Sequence, residues 1–382
     1  MEDARISIVG GGISGLCAAV ALQKQGIHAE IYEKEKVVHE PDTGMILSGN
    51  AIRAFYIMGL GPELRANGLD ADGCLLKSDC GNTIAAFNYH DPSHIPNYLF
   101  IHRSSLQKIL LDALLPGSLH PKKHLIDFTH DKVVTLFFKD GTSVDTDYLI
   151  SCDGAASPIR SKLFPSSRLI HTGYSCWRGL IEDTPLQVNE YTETWGARGR
   201  FGIAPLPDQQ VFWYAFKKTP EHSNIGKWSS IDLLFNFFYY HDPIQQLLEN
   251  TSADQIIYDD IYELKPLTPL HSKNILFLGD SAHVSMPNIG QGASQAVEDA
   301  VYLAKWVSKE ATGLAAFKKY AQHKTERTKL IKNEMKIYGL ASQVDFPILC
   351  SIRNKLLQMA PASFHNEKLR RVIEIEEDMD TM

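Results

Sequence analysis

At 382 residues the chain exceeds the length over which one hydrophobic core keeps growing, so a large domain with a second one built into it or beside it is expected. Hydrophobic residues at 44% and charged residues at 22% sit near the averages for globular proteins, which excludes disordered and fibrous classes. A formal charge of -7 without any Lys/Arg run argues against nucleic acid, whose phosphates demand clustered positive charge, and leaves small molecules as partners.

The six cysteines (Cys17, Cys74, Cys80, Cys152, Cys176 and Cys350) form no CxxC pair and no zinc-type spacing with histidine, so free, mostly buried thiols and no metal site are expected. No apolar run reaches the ~18 residues that suggest a membrane span, and residues 1 to 5 lead straight into a strand without a signal peptide. A cytoplasmic monomer or homodimer with no integral membrane segment is the expectation. The acidic run from Glu374 to Asp380 reads as a solvated helix end or tail.

In chain order, Ile6 to Val9 is a short apolar strand. Ser14 to Gln25 then carries Leu16, Ala19, Val20 and Leu22 at helical spacing until Gly26 stops it, and His28 to Tyr32 resumes a strand ending at Glu33. This is a βαβ opening. Val133 to Phe138 and Ser143 to Ile150 flank Asp140-Gly141 and predict a hairpin. Between 171 and 217, Gly and Pro separate four strands, Tyr174 to Ile181, Glu190 to Trp195, Arg200 to Leu206 and Val211 to Phe216, a spacing that suits an antiparallel sheet. Trp177, Trp195, Phe212, Trp213 and Tyr214 are candidates for an aromatic pocket there; alternation puts Phe212 and Tyr214 on one face and Trp213 on the other. The parallel pattern returns at Ile275 to Leu278, followed by helices from Gly292 to Ser308 and from Leu314 to Tyr338.

The chemistry begins at Gly10-x-Gly12-x-x-Gly15. Glycine at 10 permits a tight turn, Gly12 lets a pyrophosphate approach the backbone, and Gly15 lets the helix pack on the strand. Glu33, 18 residues beyond Gly15 and followed by Lys34, stands where a carboxylate can hold a ribose diol. On this turn alone NAD and FAD are both possible. Asp153-Gly154 through Arg160 is a glycine turn after a strand with an Arg available to an anion, and Arg103 with Gln107 one turn later shares a helix face. Gly279-Asp280-Ser281-Ala282-His283 runs through Pro287 to Gly290-Gln291-Gly292, where glycines allow backbone approach to a flat ring and a helix start aims its positive end there.

Together these segments resemble the group A FAD-dependent monooxygenases, the aromatic hydroxylase superfamily, over most of the chain. Within it, Gly173 to Gly179 and Arg200 to Leu206 resemble the branch of urate hydroxylases, salicylate hydroxylases and zeaxanthin epoxidase-like proteins. The resemblance implies an α/β fold in which a Rossmann-like FAD-binding domain (residues 1–72, 98–170 and 270–345) is interrupted by a mainly antiparallel substrate domain (73–97 and 171–269), with a helical segment at 346–382. It implies FAD held by Gly10, Gly12, Gly15, Glu33, Lys34, Arg103, Gln107, Asp153, Gly154, Arg160, Gly279, Asp280, Pro287, Gly290, Gln291 and Gly292, with Gly44 to Ala51 beside the flavin. NADPH or NADH is the implied transient reductant and O2 the co-substrate, one oxygen passing from a flavin C4a-hydroperoxide to a small or medium aromatic, heteroaromatic or unsaturated compound. Arg200 aligns with a substrate-binding Arg of urate hydroxylases, and Phe212 stands where those enzymes carry Tyr, so both are substrate-pocket candidates and urate itself is disfavoured. Ser294 replaces an Asn common near the flavin ring, and His283 is read as structural. Inactivation of a tetracycline-like antibiotic, and a flavin-binding redox or interaction module without turnover, are the competing readings.

Overall fold

The computed structural model describes residues 4–36, 43–182, 186–221, 223, 228–265, 267–286 and 290–375. Pro287 and residues 376–380 of the acidic run lie outside the described residues. Ile6–Val9, buried along its whole length, sits inside a six-stranded sheet. The order is His271–Ser272, Ile275–Phe277, Tyr148–Ser151, Ile6–Val9, Ala29–Tyr32, Leu119–His120. All neighbours run parallel except the first pair.

Parallel sheets bury both faces, and here two different layers cover them. On one side the helices Ile13–Lys24 and Gln291–Lys309 pack through Leu16, Cys17, Val20, Val297, Ala300 and Val301. The first helix ends as the spacing predicts. Gly26, at φ 75°, turns the chain so that its N–H reaches Gln23 O and the Ile27 N–H reaches Leu22 O, satisfying carbonyls left open at the helix end. On the other side Phe128, Leu136 and Phe138 of a three-stranded sheet pack on Val9, Leu149 and Phe277.

That small sheet corrects the predicted hairpin. The return strand does not continue to Ile150: Ser143–Thr146 pairs antiparallel with Val134–Phe138, and Tyr148–Ser151 is a separate strand of the parallel sheet. The break falls at Asp147, whose Oδ2 accepts the Arg5 backbone N–H at 2.9 Å while its Oδ1 faces the Arg5 guanidinium at 3.1 Å. Those bonds pull the chain out of one sheet and into the next.

The second layer is a seven-stranded sheet ordered Ile256–Leu264, Leu169–Ile181, Val211–Lys218, Gly199–Pro205, Thr192–Gly196, Cys74–Ser78, Thr83–Phe87. It is antiparallel except where Thr192–Gly196 meets Cys74–Ser78. The outer strand Ile256–Leu264 was not among the predicted elements. Alternation works as expected for Phe212, Trp213 and Tyr214, but the aromatic pocket shrinks: Trp177 and Trp213 face away, into a core shared with Phe201, Phe237 and Leu247. The Trp213 ring stacks on Phe201 at 5.3 Å between centroids and donates Nε1–H to Thr251 Oγ1 at 2.8 Å. Replacing Trp213 with Ala empties this core and is expected to cost roughly 3–5 kcal/mol, read as a lower midpoint of urea unfolding in the FAD-free protein; an unchanged midpoint contradicts this packing.

Candidate active site

Where Ile6–Val9 ends, the backbone crosses close to itself. A Cβ on Gly10 would lie 2.2 Å from Cys152 O, and one on Gly15 would lie 1.9 Å from Gly10 O, so both positions require glycine for the protein's own packing. Gly12 is different: its φ of -72° suits any residue, and a Cβ there would meet no protein atom within 4 Å. Its open side faces a cleft of about 580 Å³ between the parallel sheet and the seven-stranded sheet.

One wall of the cleft carries Gly12, Arg103, Gly154, Asp280, Gly290 and Gly292, six of the cofactor-site candidates. The N-termini of the Ile13–Lys24 and Gln291–Lys309 helices both open into it, presenting unpaired N–H groups and positive partial charge. Gly290 adopts φ 64°, and a Cβ there would press within 2.9 Å of Ile46 O. Ser294 turns inward, donating to Gly290 O and accepting the Ser48 N–H at 3.0 Å, so it pins the Gly44–Ser48 strand beside this helix start.

The other candidates stand behind this wall. Glu33 is buried, its carboxylate accepting the Gly11 N–H at 2.5 Å and the Glu35 N–H at 2.8 Å, while Lys34 is exposed at the surface. Gln107 is buried on the helix below Arg103. Asp153 accepts from Ser151, Ser157 and the Ile159 N–H, and burial raises its pKa despite those bonds. Arg160, expected to be available to an anion, donates instead to the carbonyls of Ser281, at 2.9 Å, and Ala155, so its guanidinium ties the two glycine turns together. Gln291 donates to Ser48 Oγ at 2.7 Å.

Gly279 starts a short turn of helix that carries Asp280 and His283, and a buried acid holds it from behind. Asp299 Oδ2 accepts the Gly279 N–H at 3.2 Å and lies 2.5 Å from His283 Nε2, and its Oδ1 is 2.5 Å from Lys324 Nζ. His283 is thereby held against the buried acid. Burial pushes the Asp299 carboxyl upward, but the charges of Lys324 and His283 outweigh it and hold the group below the usual carboxylate range. One residue earlier, Glu298 pairs with Arg327 at 2.8 Å and accepts from Asn50.

The profile of the FAD binding domain family matches residues 3–195 and 262–336, which include both glycine turns and the helix start. The chain belongs to the group A FAD-dependent monooxygenases. The monooxygenase is 32% identical to the aurachin C monooxygenase/isomerase of Stigmatella aurantiaca, over 96% of this chain and 97% of that one. It is 25% identical to the 2-heptyl-3-hydroxy-4(1H)-quinolone synthase of Pseudomonas aeruginosa, over 93% and 94%. Klebsiella pneumoniae HpxO, solved with FAD and uric acid, has the same fold, with a TM-score of 0.87, 22% identity and 98% of each chain covered.

Facing the cofactor wall, the monooxygenase presents Cys176, Arg178, Phe212, Tyr214, Phe216 and Asp259. Arg200 does not line this cleft. Its guanidinium lies 4.5 Å over the Phe216 ring and 3.5 Å from Glu193, beside a separate cavity of about 30 Å³. Sequence reasoning overlooked Glu193, which accepts from Tyr214 Oη at 2.5 Å and from Trp195 Nε1. Burial first, then the Glu193 charge, pushes the Tyr214 phenol well above its ordinary value, so Tyr214 stays a proton donor. Gly202 makes this reach possible, because a Cβ there would enter the Tyr214 ring. A carboxylate between Thr192 and Thr194 on a buried strand was the legible signal, as was the acidic pair Glu298-Asp299 inside an apolar helix.

The Asp299 network gives a pH signature. A carboxyl whose pKa is depressed by folding contributes stability above its unfolded value, near 4, and loses it as pH falls below that. Asp299→Asn should cost roughly 3–5 kcal/mol at neutral pH by stranding Lys324 and His283, and its melting temperature should fall less between pH 5 and pH 3 than that of the parent. Parallel profiles for the two proteins would remove this assignment.

Proposed function

We propose that the monooxygenase takes electrons from NADH or NADPH and, with O2 as co-substrate, places one oxygen atom on an electron-rich bicyclic heteroaromatic of the quinolone type. The balance is substrate, NAD(P)H, a proton and O2 in; hydroxylated product, NAD(P)+ and water out. The observation that carries the reading is the aromatic side of the cleft, Phe212, Tyr214 and Phe216, lining the same cleft as the Gly290–Gly292 helix start. The full-length likeness to a relative named for a 4(1H)-quinolone supports the ring class. Rings of this kind stack on aromatic side chains, and the Arg178–Asp259 pair on the same cleft supplies polar orientation.

FAD, when bound, supplies the electron transfer and oxygen activation. The chain's part is to hold and shield. Gly12 and the first helix N-terminus suit the pyrophosphate, and Arg103 adds charge from the same wall. Glu33 keeps lone pairs for a ribose diol beyond those used by two N–H groups, and Asp280, which lines the cleft, would hold the ribityl chain. Asp153, Arg160, Gln291 and Asp299 position these elements from behind. Arg200 acts through Glu193 and Phe216. In this reading residues 1–72, 98–170 and 270–345 form the cofactor unit, and 73–97 with 171–269 form the substrate unit.

Two measurements test this. Gly12→Val should leave the unfolding midpoint of the FAD-free protein unchanged yet weaken FAD binding at least about tenfold in a flavin fluorescence titration, whereas an equally tight FAD complex would move the pyrophosphate elsewhere. Next, a panel of 4-quinolones, phenols, urate and tetracycline is screened for stimulated NAD(P)H oxidation with products weighed by mass spectrometry. Quinolones should stimulate and gain one oxygen; gain by tetracycline alone, or by no compound, overturns the proposal.

A further inference from the structure

We propose that the second half of the Gly313–Ser342 helix and the Pro347–Met359 helix together form a surface that docks on the anionic face of a lipid bilayer. The proposal is independent of the substrate class. On the Pro347–Met359 helix, Cys350, Arg353 and Leu357 are buried against the body of the protein. Ile348, Leu349, Ile352, Leu356 and Met359 fall within an arc of about 100° on the outer side, and they are 51–80% exposed. Phe346 extends this face at the connector, 57% exposed, and Ile337 and Leu340 extend it onto the preceding helix. So large an apolar stripe turned to solvent on one hairpin marks a contact surface.

Charge identifies the occupant. The whole chain carries -7, yet residues 329–359 hold five cations against two carboxylates, Glu334 and Asp345. Glu334 is already paired with Lys368 and Arg371, and Asp345 with Lys218. Among the described residues of that span, the exposed charges are therefore Lys329, Lys332, Lys336 and Lys355 beside the apolar arc, with Asp345 the single exposed carboxylate. An apolar face flanked by lysines is the composition of an interfacial amphipathic helix on anionic lipid. A second copy of the chain fits less well, since an isologous contact brings two copies of the same lysine-flanked patch together with no added carboxylate to offset them.

The position also fits. Gln343, in the connector, contacts Met286, next to Val284 and Ser285 of the cleft wall, and Lys218, the partner of Asp345, follows the cleft residue Phe216 by two positions. A bilayer against this hairpin would lie beside the cleft. No described helix is long and apolar enough to cross a membrane, so contact is at the surface.

The test is sedimentation of the FAD-loaded full chain with vesicles of phosphatidylcholine alone or with about 30% phosphatidylglycerol, without substrate or reductant. Binding is expected to the anionic vesicles only, and to vanish in 0.5 M salt, where the screening length falls to about 4 Å. Both Ile352→Glu/Leu356→Glu and Lys332→Glu/Lys336→Glu/Lys355→Glu should bind at least about tenfold more weakly, with flavin absorbance and unfolding midpoint showing that the fold is kept. No sedimentation with anionic vesicles overturns the proposal, as does unweakened binding by either variant. A concentration-dependent dimer in ultracentrifugation that Ile352→Glu/Leu356→Glu abolishes, without vesicle binding, assigns the face to a second copy instead.

Discussion

Two pieces of chain far apart in sequence meet at the carboxylate of Asp299: the turn from Gly279 to His283, and Lys324 of the following helix. A carboxylate with almost no access to solvent keeps its charge only if cations and N–H groups surround it, and each group that does so is thereby held in place. Arg160 performs the matching task from the other side, bonding the carbonyls of Ala155 and Ser281. These buried charges brace the two glycine turns from behind the cleft wall.

The opposite wall depends on a different constraint, close approach between backbone and rings. Gly202 opposite Tyr214, and Gly44 against Phe212, leave space that any Cβ would fill. Gly202 lets the Tyr214 hydroxyl reach Glu193, and Gly44 sets how near the Gly44–Ser48 strand comes to Phe212 of the seven-stranded sheet. The close approach on this side of the cleft thus follows from two absent side chains.

These two walls and the helical hairpin at 329–359 show charge used in three ways within an acidic protein. Inside, charges are paired and position backbone. At the cleft, two helix N-termini and Arg103 share one wall with Asp280. Outside, lysines flank an apolar face beside the same cleft.

Much of this protein was legible as local pattern. Strand and helix periods, the glycine spacing from Gly10 to Gly15, and the run from Gly279 to Gly292 depend on neighbouring residues, so the βαβ opening and the family could be read from the amino acids alone. The break at Asp147 could not, because a hydrogen bond from Arg5, distant in sequence, decides which sheet the strand joins. Nor could the directions of Arg160 and Arg200, since an Arg in a motif looks the same whether it meets a ligand, a carbonyl or Glu193. Sequence determines which residues are available to a site; which of them face the cleft is decided by long-range partners, whose desolvation and hydrogen bonding are settled only when the sheets and helices pack.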